Sequence, residues 1–371
     1  MDFSYSEEQR MLTDSLRRLV ADNWTRPLRR ARQKTGKLDV AAWNSLAELG
    51  MGGLLVAEEF GGFGETPATM LAVHQELGRG LVSEPVISSA VMGVTLLGQS
   101  DNPALKQKWL TAHAEGEAIL ALAWQEEGER DAQQPLSTRA SSTQGGFQLD
   151  GKKILVWHAA GSDALLVSVV LDGETAVLLV PTNSVGVTVT DFPTFDGSRA
   201  ATVTFERVIV PIENLLIKGA LAQDALRKAL DFGIVALCAQ ACGAMAYLTD
   251  STIQYLKTRK QFGQPLANFQ VLQHRLGEML IQSEMGLSMT YVATIALSEA
   301  DANKRSRVVS MAKVEVAAAT RFVGEASVQS HGGMGVTDEL EVGDYFKRLT
   351  YLDVLLGDTN YHLQRMQDLE A

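Results

Sequence analysis

The hydrophobic period of this chain changes twice. Apolar residues recur at helical spacing up to about residue 115, alternate every second residue between about 118 and 215, and return to helical spacing from about 219 onward. A chain patterned in that order cannot fold as one alternating α/β sheet. It is restricted to helical bodies flanking a β body.

Local signals sharpen the division. Ser6 and Gln9 have capping-box spacing, and Met11, Leu12, Leu16, Leu19 and Val20 follow at helical intervals. Helical patterns recur over 40–49, 67–77, 86–97 and 103–115, with breaks such as Gly61-Gly62-Phe63-Gly64 between them. Short alternating runs at 147–151, 154–157, 164–170, 175–180, 187–189 and 202–205 predict strands. No helix separates these strands and none is followed by a G-x-G-x-x-G turn, so the pattern predicts an antiparallel barrel or sandwich and excludes a Rossmann site. Helical runs at 220–256, 270–299 and 304–331, with a last stretch after Val342, suit an up-down four-helix bundle. The expected fold class is multi-domain α+β: an N-terminal helical bundle over 1–116, a middle antiparallel β domain over 117–216 and a C-terminal four-helix bundle over 217–371.

Composition excludes several functions. With 371 residues, 46% of them hydrophobic and 21% charged, the chain can bury large cores and is not disordered. A formal net charge of -11 argues against nucleic acid as partner. Cys238 and Cys242 lie four apart in an apolar helical run and read as core residues of a reducing compartment. The acidic N-terminus is no secretory signal, and the weakly polar run 234–248 is shorter than the roughly 20 residues a spanning helix needs. A soluble, cytoplasmic protein without a membrane partner is expected. His274, His331 and His362 lack metal-ligand spacing, so no metal is predicted, and no nucleophile elbow occurs.

Two segments carry chemistry. The first, 259–270, reads Arg-Lys-Gln-Phe-Gly-Gln-Pro-Leu-Ala-Asn-Phe-Gln; with Gln273 it sets polar Arg259, Gln261 and Gln270 among apolar neighbours, as a large polar cofactor requires. The second, 329–339, reads Gln-Ser-His-Gly-Gly-Met-Gly-Val-Thr-Asp-Glu, and its glycines let backbone amides approach a phosphate. Together these segments resemble the C-terminal domain of acyl-CoA dehydrogenases, and the helical, β, helical order is similar to that family along the whole chain.

The resemblance implies FAD as cofactor and an acyl-CoA thioester as substrate, desaturated to the trans-2-enoyl-CoA, with an electron-transfer flavoprotein as electron acceptor. It assigns Arg259, Gln261, Phe262, Leu266 and Phe269 to FAD, with Arg259 and Phe262 often acting across a subunit boundary. Gln329, Ser330, Gly332, Gly333 and Asn360 are assigned to it as well. Arg suits that task because its planar fork meets pyrophosphate oxygens in pairs. A family loop reading Thr-Glu-Pro matches 124–131 here only loosely. Backbone groups of Trp124 and Gln125 are the flavin contacts it implies, and the acidic residues beside them read as a solvated loop. A further flavin-facing segment follows a Gly-x-Lys, which makes Trp157 a candidate for stacking on the ring.

The family's α-proton base is a Glu in a Glu-Gly-Thr near the C-terminus, where this chain reads Leu-Leu-Gly-Asp-Thr-Asn at 355–360. Alignment on the following Gln-Arg puts Asp358 in the Glu position, whereas other registers put Leu356 or Gly357 there. Asp358 is the carboxylate nearest that place and the expected base. A base on the first long C-terminal helix, as some relatives have, would fall on Gly233, with Asp231 two residues away. Shared sites imply an oligomer, a homodimer or homotetramer. The departures at both loops also resemble the small subunit of pimeloyl-CoA-dehydrogenase-like proteins, which implies a heteromer with a second acyl-CoA dehydrogenase chain. Two alternatives follow: a subunit that completes FAD sites without catalysis, and an Asp-based flavin oxidase similar to nitroalkane oxidase.

Overall fold

The computed structural model describes residues 5–128 and 137–370. Helices run over Glu7–Asn23 (α1), Arg26–Thr35 (α2), Val40–Glu48 (α3), Pro67–Arg79 (α4), Val94–Gly98 (α5), Pro103–Ala114 (α6), Ala220–Thr258 (α7), Gln270–Ala296 (α8), Ala302–His331 (α9), Val342–Val354 (α10) and Thr359–Asp368 (α11). Strands run over Leu120–Ala123 (β1), Arg139–Thr143 (β2), Gly146–Trp157 (β3), Ala164–Leu171 (β4), Glu174–Pro181 (β5), Val187–Pro193 (β6), Arg199–Pro211 (β7) and Leu215–Lys218 (β8), with a small hairpin of Lys260–Gln261 (β9) and Gln264–Pro265 (β10).

Packing groups the chain into two compact units interleaved in sequence. One comprises Met1–Arg29, Pro67–Val82 and Ile234–Ala371; the other comprises Arg30–Thr66 and Ser83–Gly233. The three consecutive segments expected from sequence cross this division, because the N-terminal helices are shared between both units.

In the first unit, α1 begins with the expected capping box: Gln9 N donates to Ser6 Oγ and Ser6 N to Gln9 Oε1. The helix is tied to α4 by Arg17, whose Nε and Nη2 reach the two oxygens of Glu76 at 2.9 and 2.7 Å. Helix α4 crosses α7 backbone to backbone. A Cβ at Gly78 would overlap the Gln240 carbonyl, and one at Gly243 would overlap the Gln75 carbonyl. Helix α7 spans 39 residues, which makes it longer than the apolar run read from sequence and, by length and composition alone, enough to cross a membrane. Buried in protein over 89% of its apolar window, it is a core helix. Helices α9, α10 and α11 complete the bundle, with Val309, Ala312, Val316 and Val323 of α9 facing inward.

The second unit is built on an eight-stranded sheet in the order β6-β7-β3-β2-β4-β5-β8, with β1 also beside β4. The antiparallel pattern expected from sequence holds for β2–β3, β3–β7, β4–β5, β5–β8 and β6–β7; β1 and β2 pair with β4 in parallel, a correction to it. Strands β4 and β5 are apolar on both faces, as strands covered on both sides must be. An irregularity in β3 between Lys153 and Val156 leaves Leu155 left-handed at φ 51° and turns Lys153 into the core.

Candidate active site

Chain geometry brings the two signature segments of the first unit together. Tyr255, one turn before Arg259, stacks on His331, which immediately precedes Gly332; the ring centroids are 4.2 Å apart. Tyr255 Oη donates to the His331 carbonyl at 3.4 Å, and burial lowers the His331 pKa. Beyond α7, the β9–β10 hairpin turns at Phe262 and Gly263, both left-handed, with φ of 54° and 81°. This turn throws the Phe262 ring outward to 87% exposure, edge-on to Phe269 at 6.0 Å. Arg259 and Gln261 are exposed beside it, while Leu266 and Phe269 are half-buried.

At the end of α9, Ser330 is buried and donates to the Ala326 carbonyl, so its hydroxyl serves the helix. Gln329, Gly332 and Gly333 are exposed to differing degrees, and a Cβ at either glycine would meet nothing within 4 Å. An exposed guanidinium, an exposed aromatic face and bare glycine amides form an open half-site. That donor set fits part of a dinucleotide.

The C-terminal turn is held tightly. Leu356 and Gly357 are both left-handed, with φ of 56° and 102°. Asp358 is the N-cap of α11 and accepts from Tyr361 N at 2.8 Å, which gives its carboxylate a structural task. Asn360, in the first turn of α11, is exposed. In the other unit Asp231 is completely buried within α7, not the cap or solvated charge that its residue type suggests.

Three flavin-loop candidates lie in the second unit. Ile154 N donates to the Gln125 carbonyl at 2.9 Å, and Lys153 Nζ to the Trp124 carbonyl at 3.1 Å, so the end of β1 is sutured to β3. Trp157 closes β3 opposite Ala200 and is half-buried, as are Trp124 and Gln125. Residues 129–131 of the loop lie outside the described residues. A cavity of about 580 Å³ opens beside His158, with Arg32–Asp39 and Arg199–Asp191 ion pairs in its wall. His158 itself is left-handed and fully engaged: Nε2 donates to the Ser83 carbonyl and Nδ1 accepts from Ser88 Oγ.

The sequence reads Glu126 as part of a solvated acidic loop; the structure corrects this. Glu126 is 2% exposed, and its carboxylate takes the Lys153 ammonium at 2.8 Å, Ser137 N and Oγ at 2.7 Å each and Thr138 N at 3.1 Å. Burial pushes this carboxyl upward, but the ammonium and hydrogen bonds outweigh it and hold it well below the usual range. Burial lowers the Lys153 pKa, against the pull of Glu126. Lys153 also donates to Ser168 Oγ at 2.9 Å. Sequence reading passes over this pair, although a lysine between the apolar residues of a strand is itself a signal that a buried carboxylate awaits it.

Comparison with known proteins gives the family. The acyl-CoA dehydrogenase N-terminal domain profile matches residues 6–117, and the acyl-CoA dehydrogenase C-terminal domain profile matches residues 224–368. A probable acyl-CoA dehydrogenase, YngJ of Bacillus subtilis, is 28% identical over 99% of this chain and 98% of its own. Among solved structures, a chain of the ChsE4-ChsE5 complex from Mycobacterium tuberculosis superposes with a TM-score of 0.90 at 26% identity, covering 99% of this chain and 98% of that one. A chain of a variant of the Tcur3481-Tcur3483 steroid ACAD gives 0.88 at 26% identity, with 98% of each covered. Matched at both ends, and similar over nearly its whole length to proteins of one kind, the chain belongs to the acyl-CoA dehydrogenase family of oxidoreductases.

Proposed function

We propose that this chain is the site-completing subunit of a heteromeric, FAD-dependent acyl-CoA dehydrogenase that converts an acyl-CoA to the trans-2-enoyl-CoA. In this reading a second, related chain supplies the α-proton base, and electrons leave to an electron-transfer flavoprotein. One observation carries it. Gly357 is left-handed and Asp358 caps α11, so these residues take the places of Gly and Thr in the Glu-Gly-Thr pattern, Thr being a natural N-cap. Leu356 then stands where the base would be, and the alternative position on α7 is Gly233. Neither side chain can accept a proton.

Other features support assembly with another chain. Helix α8 buries only Met279, Gly286, Thr290, Ala293 and Thr294 of its 27 residues and exposes Val271, Leu280, Ile281, Met285, Val292 and Ile295. So much apolar surface on one helix marks an interface. Two of the similar structures carry paired names, ChsE4-ChsE5 and Tcur3481-Tcur3483.

Bound FAD supplies a hydride acceptor, which no side chain provides. This chain's share would be to grip it with the Arg259 guanidinium, the Phe262 ring and the amides of Gly332 and Gly333. Asp358→Asn preserves the cap but removes the carboxylate, and anaerobic mixing with butyryl-CoA reads flavin bleaching. Flavin-loaded chain alone should not bleach, with or without the substitution. Bleaching by the unaltered chain that Asp358→Asn abolishes would instead make Asp358 the base and end the subunit reading.

A further inference from the structure

Lys313 of α9 is 2% exposed, yet among the described residues its ammonium has no carboxylate within ion-pair distance. Its Nζ instead donates to two backbone carbonyls, Asp353 at 2.8 Å and Gly357 at 2.9 Å, with Asp353 and Asp358 adding attraction from farther away. The Asp353 carbonyl ends α10, where the helix dipole favours a cation. Between these two carbonyls lies the third of the set. His362 Nε2 donates to the Leu356 carbonyl at 3.0 Å, while its Nδ1 accepts from Ser310 Oγ at 3.1 Å. Side chains from α9 and α11 therefore fix three carbonyls within five residues.

The segment they fix is strained. Leu356 holds a left-handed conformation that a branched side chain rarely adopts, and Gly357 follows with φ 102°. A Cβ at Gly357 would collide with the Tyr361 ring and crowd His362 Nε2. Strain of this kind persists only where surrounding groups over-determine the backbone. An ammonium buried against backbone carbonyls is itself unfavourable, and here both of its hydrogen bonds go to this turn.

We infer that Lys313 is a positioning residue: by holding the Asp353 and Gly357 carbonyls it keeps Leu356 left-handed and so sets where the side chain at position 356 points. The inference rests on the proposed function for its consequence, that Leu356 forms an apolar wall beside the acyl chain. Removing the ammonium lets the turn relax and moves that wall.

The test compares Lys313→Met and Lys313→Arg with the unaltered full-length chain. Leucine-labelled protein reports the Leu356 methyl and Cα resonances, calorimetry reports butyryl-CoA affinity, and flavin content and melting temperature are recorded alongside. In Lys313→Met the Leu356 Cα resonance should move toward right-handed values and butyryl-CoA affinity should fall about tenfold, with flavin content unchanged. Lys313→Arg, still able to donate to both carbonyls, should keep the original resonances. Unmoved Leu356 resonances in Lys313→Met overturn the inference. If Lys313→Met does not fold, Lys313→Gln, too short to span both carbonyls, is read in the same way. Absence of butyryl-CoA binding by the chain assembled with its partner would count against the proposed function, while the resonances would still decide the role of Lys313.

Discussion

Tyr255 lies face to face with His331, their planes 29° apart, and this one contact joins the helix end that carries Arg259 to the helix end that carries Gly332. The proposed cofactor half-site is therefore two exposed motifs held by one stacked pair. Arg259→Ala and Phe262→Ala should each lower retained flavin several-fold while shifting stability by less than about 0.5 kcal/mol, because both side chains are exposed. Tyr255→Ala should lower both. The flavin-to-protein absorbance ratio and urea midpoints separate these outcomes.

The Glu126–Lys153 pair should behave as a unit. Lys153→Met leaves a carboxylate buried without its counter-ion and should destabilise the fold by about 3–5 kcal/mol. Replacing both with apolar residues of similar volume should restore much of that loss. Equilibrium urea unfolding of the two single variants and the double variant measures the coupling, and additive effects would show that the pair is not coupled.

Asp358→Ala removes the α11 cap and should lower stability by about 1 kcal/mol, whereas Asp358→Asn should change it by a few tenths. In the assembled enzyme neither should alter the rate of flavin bleaching by more than about twofold, whereas loss of a true base lowers the rate by a factor of about a hundred or more. Stopped-flow absorbance decides.

Three of the four buried histidines do most to make the fold acid-sensitive. Burial lowers the pKa of His74 to about 3, of His113 to about 4 and of His362 to about 3. All three are neutral in the folded chain, with His113 Nδ1 donating to the Gly52 carbonyl and its Nε2 accepting from Ser89 Oγ. The unfolded chain protonates them near pH 6.5, so below that value it binds more protons than the folded chain. Stability is then complete above about pH 6.5 and falls as the pH drops toward 3 to 4, each histidine contributing up to about 1.4 kcal/mol per pH unit. Thermal melts between pH 7 and pH 4 check this, and His113→Gln should flatten the slope.

Much of the fold was legible in local pattern. The Ser6–Gln9 cap, the long C-terminal helices and the runs at 164–170 and 175–180 fall where periodicity puts them, because each is set by its own residues. Strand β1 and helix α2 were not, since Leu-Ala-Leu-Ala is too short to show a period and α2 is strongly polar. Nothing local signals that β1 and β2 run parallel to β4, because pairing direction depends on partners more than 20 residues apart. The exposed motif residues were readable because their chemistry is unusual where it stands. The task of Asp358 was not, since an aspartate after glycine reads equally as a cap or a base until the backbone angle is known.

The glycine crossing of α4 with α7 has a consequence during synthesis. Gly78 leaves the ribosome about 160 residues before Gln240, the group it must meet, which at roughly 5–20 residues per second is a delay of about 8–30 s. Throughout that interval α4, whose Met70, Leu71, Val73 and Leu77 are buried in the finished protein, has α1 beside it but not yet α7. The chain thus emerges with α4 waiting for its last third, and the face that meets α7 stays open until then.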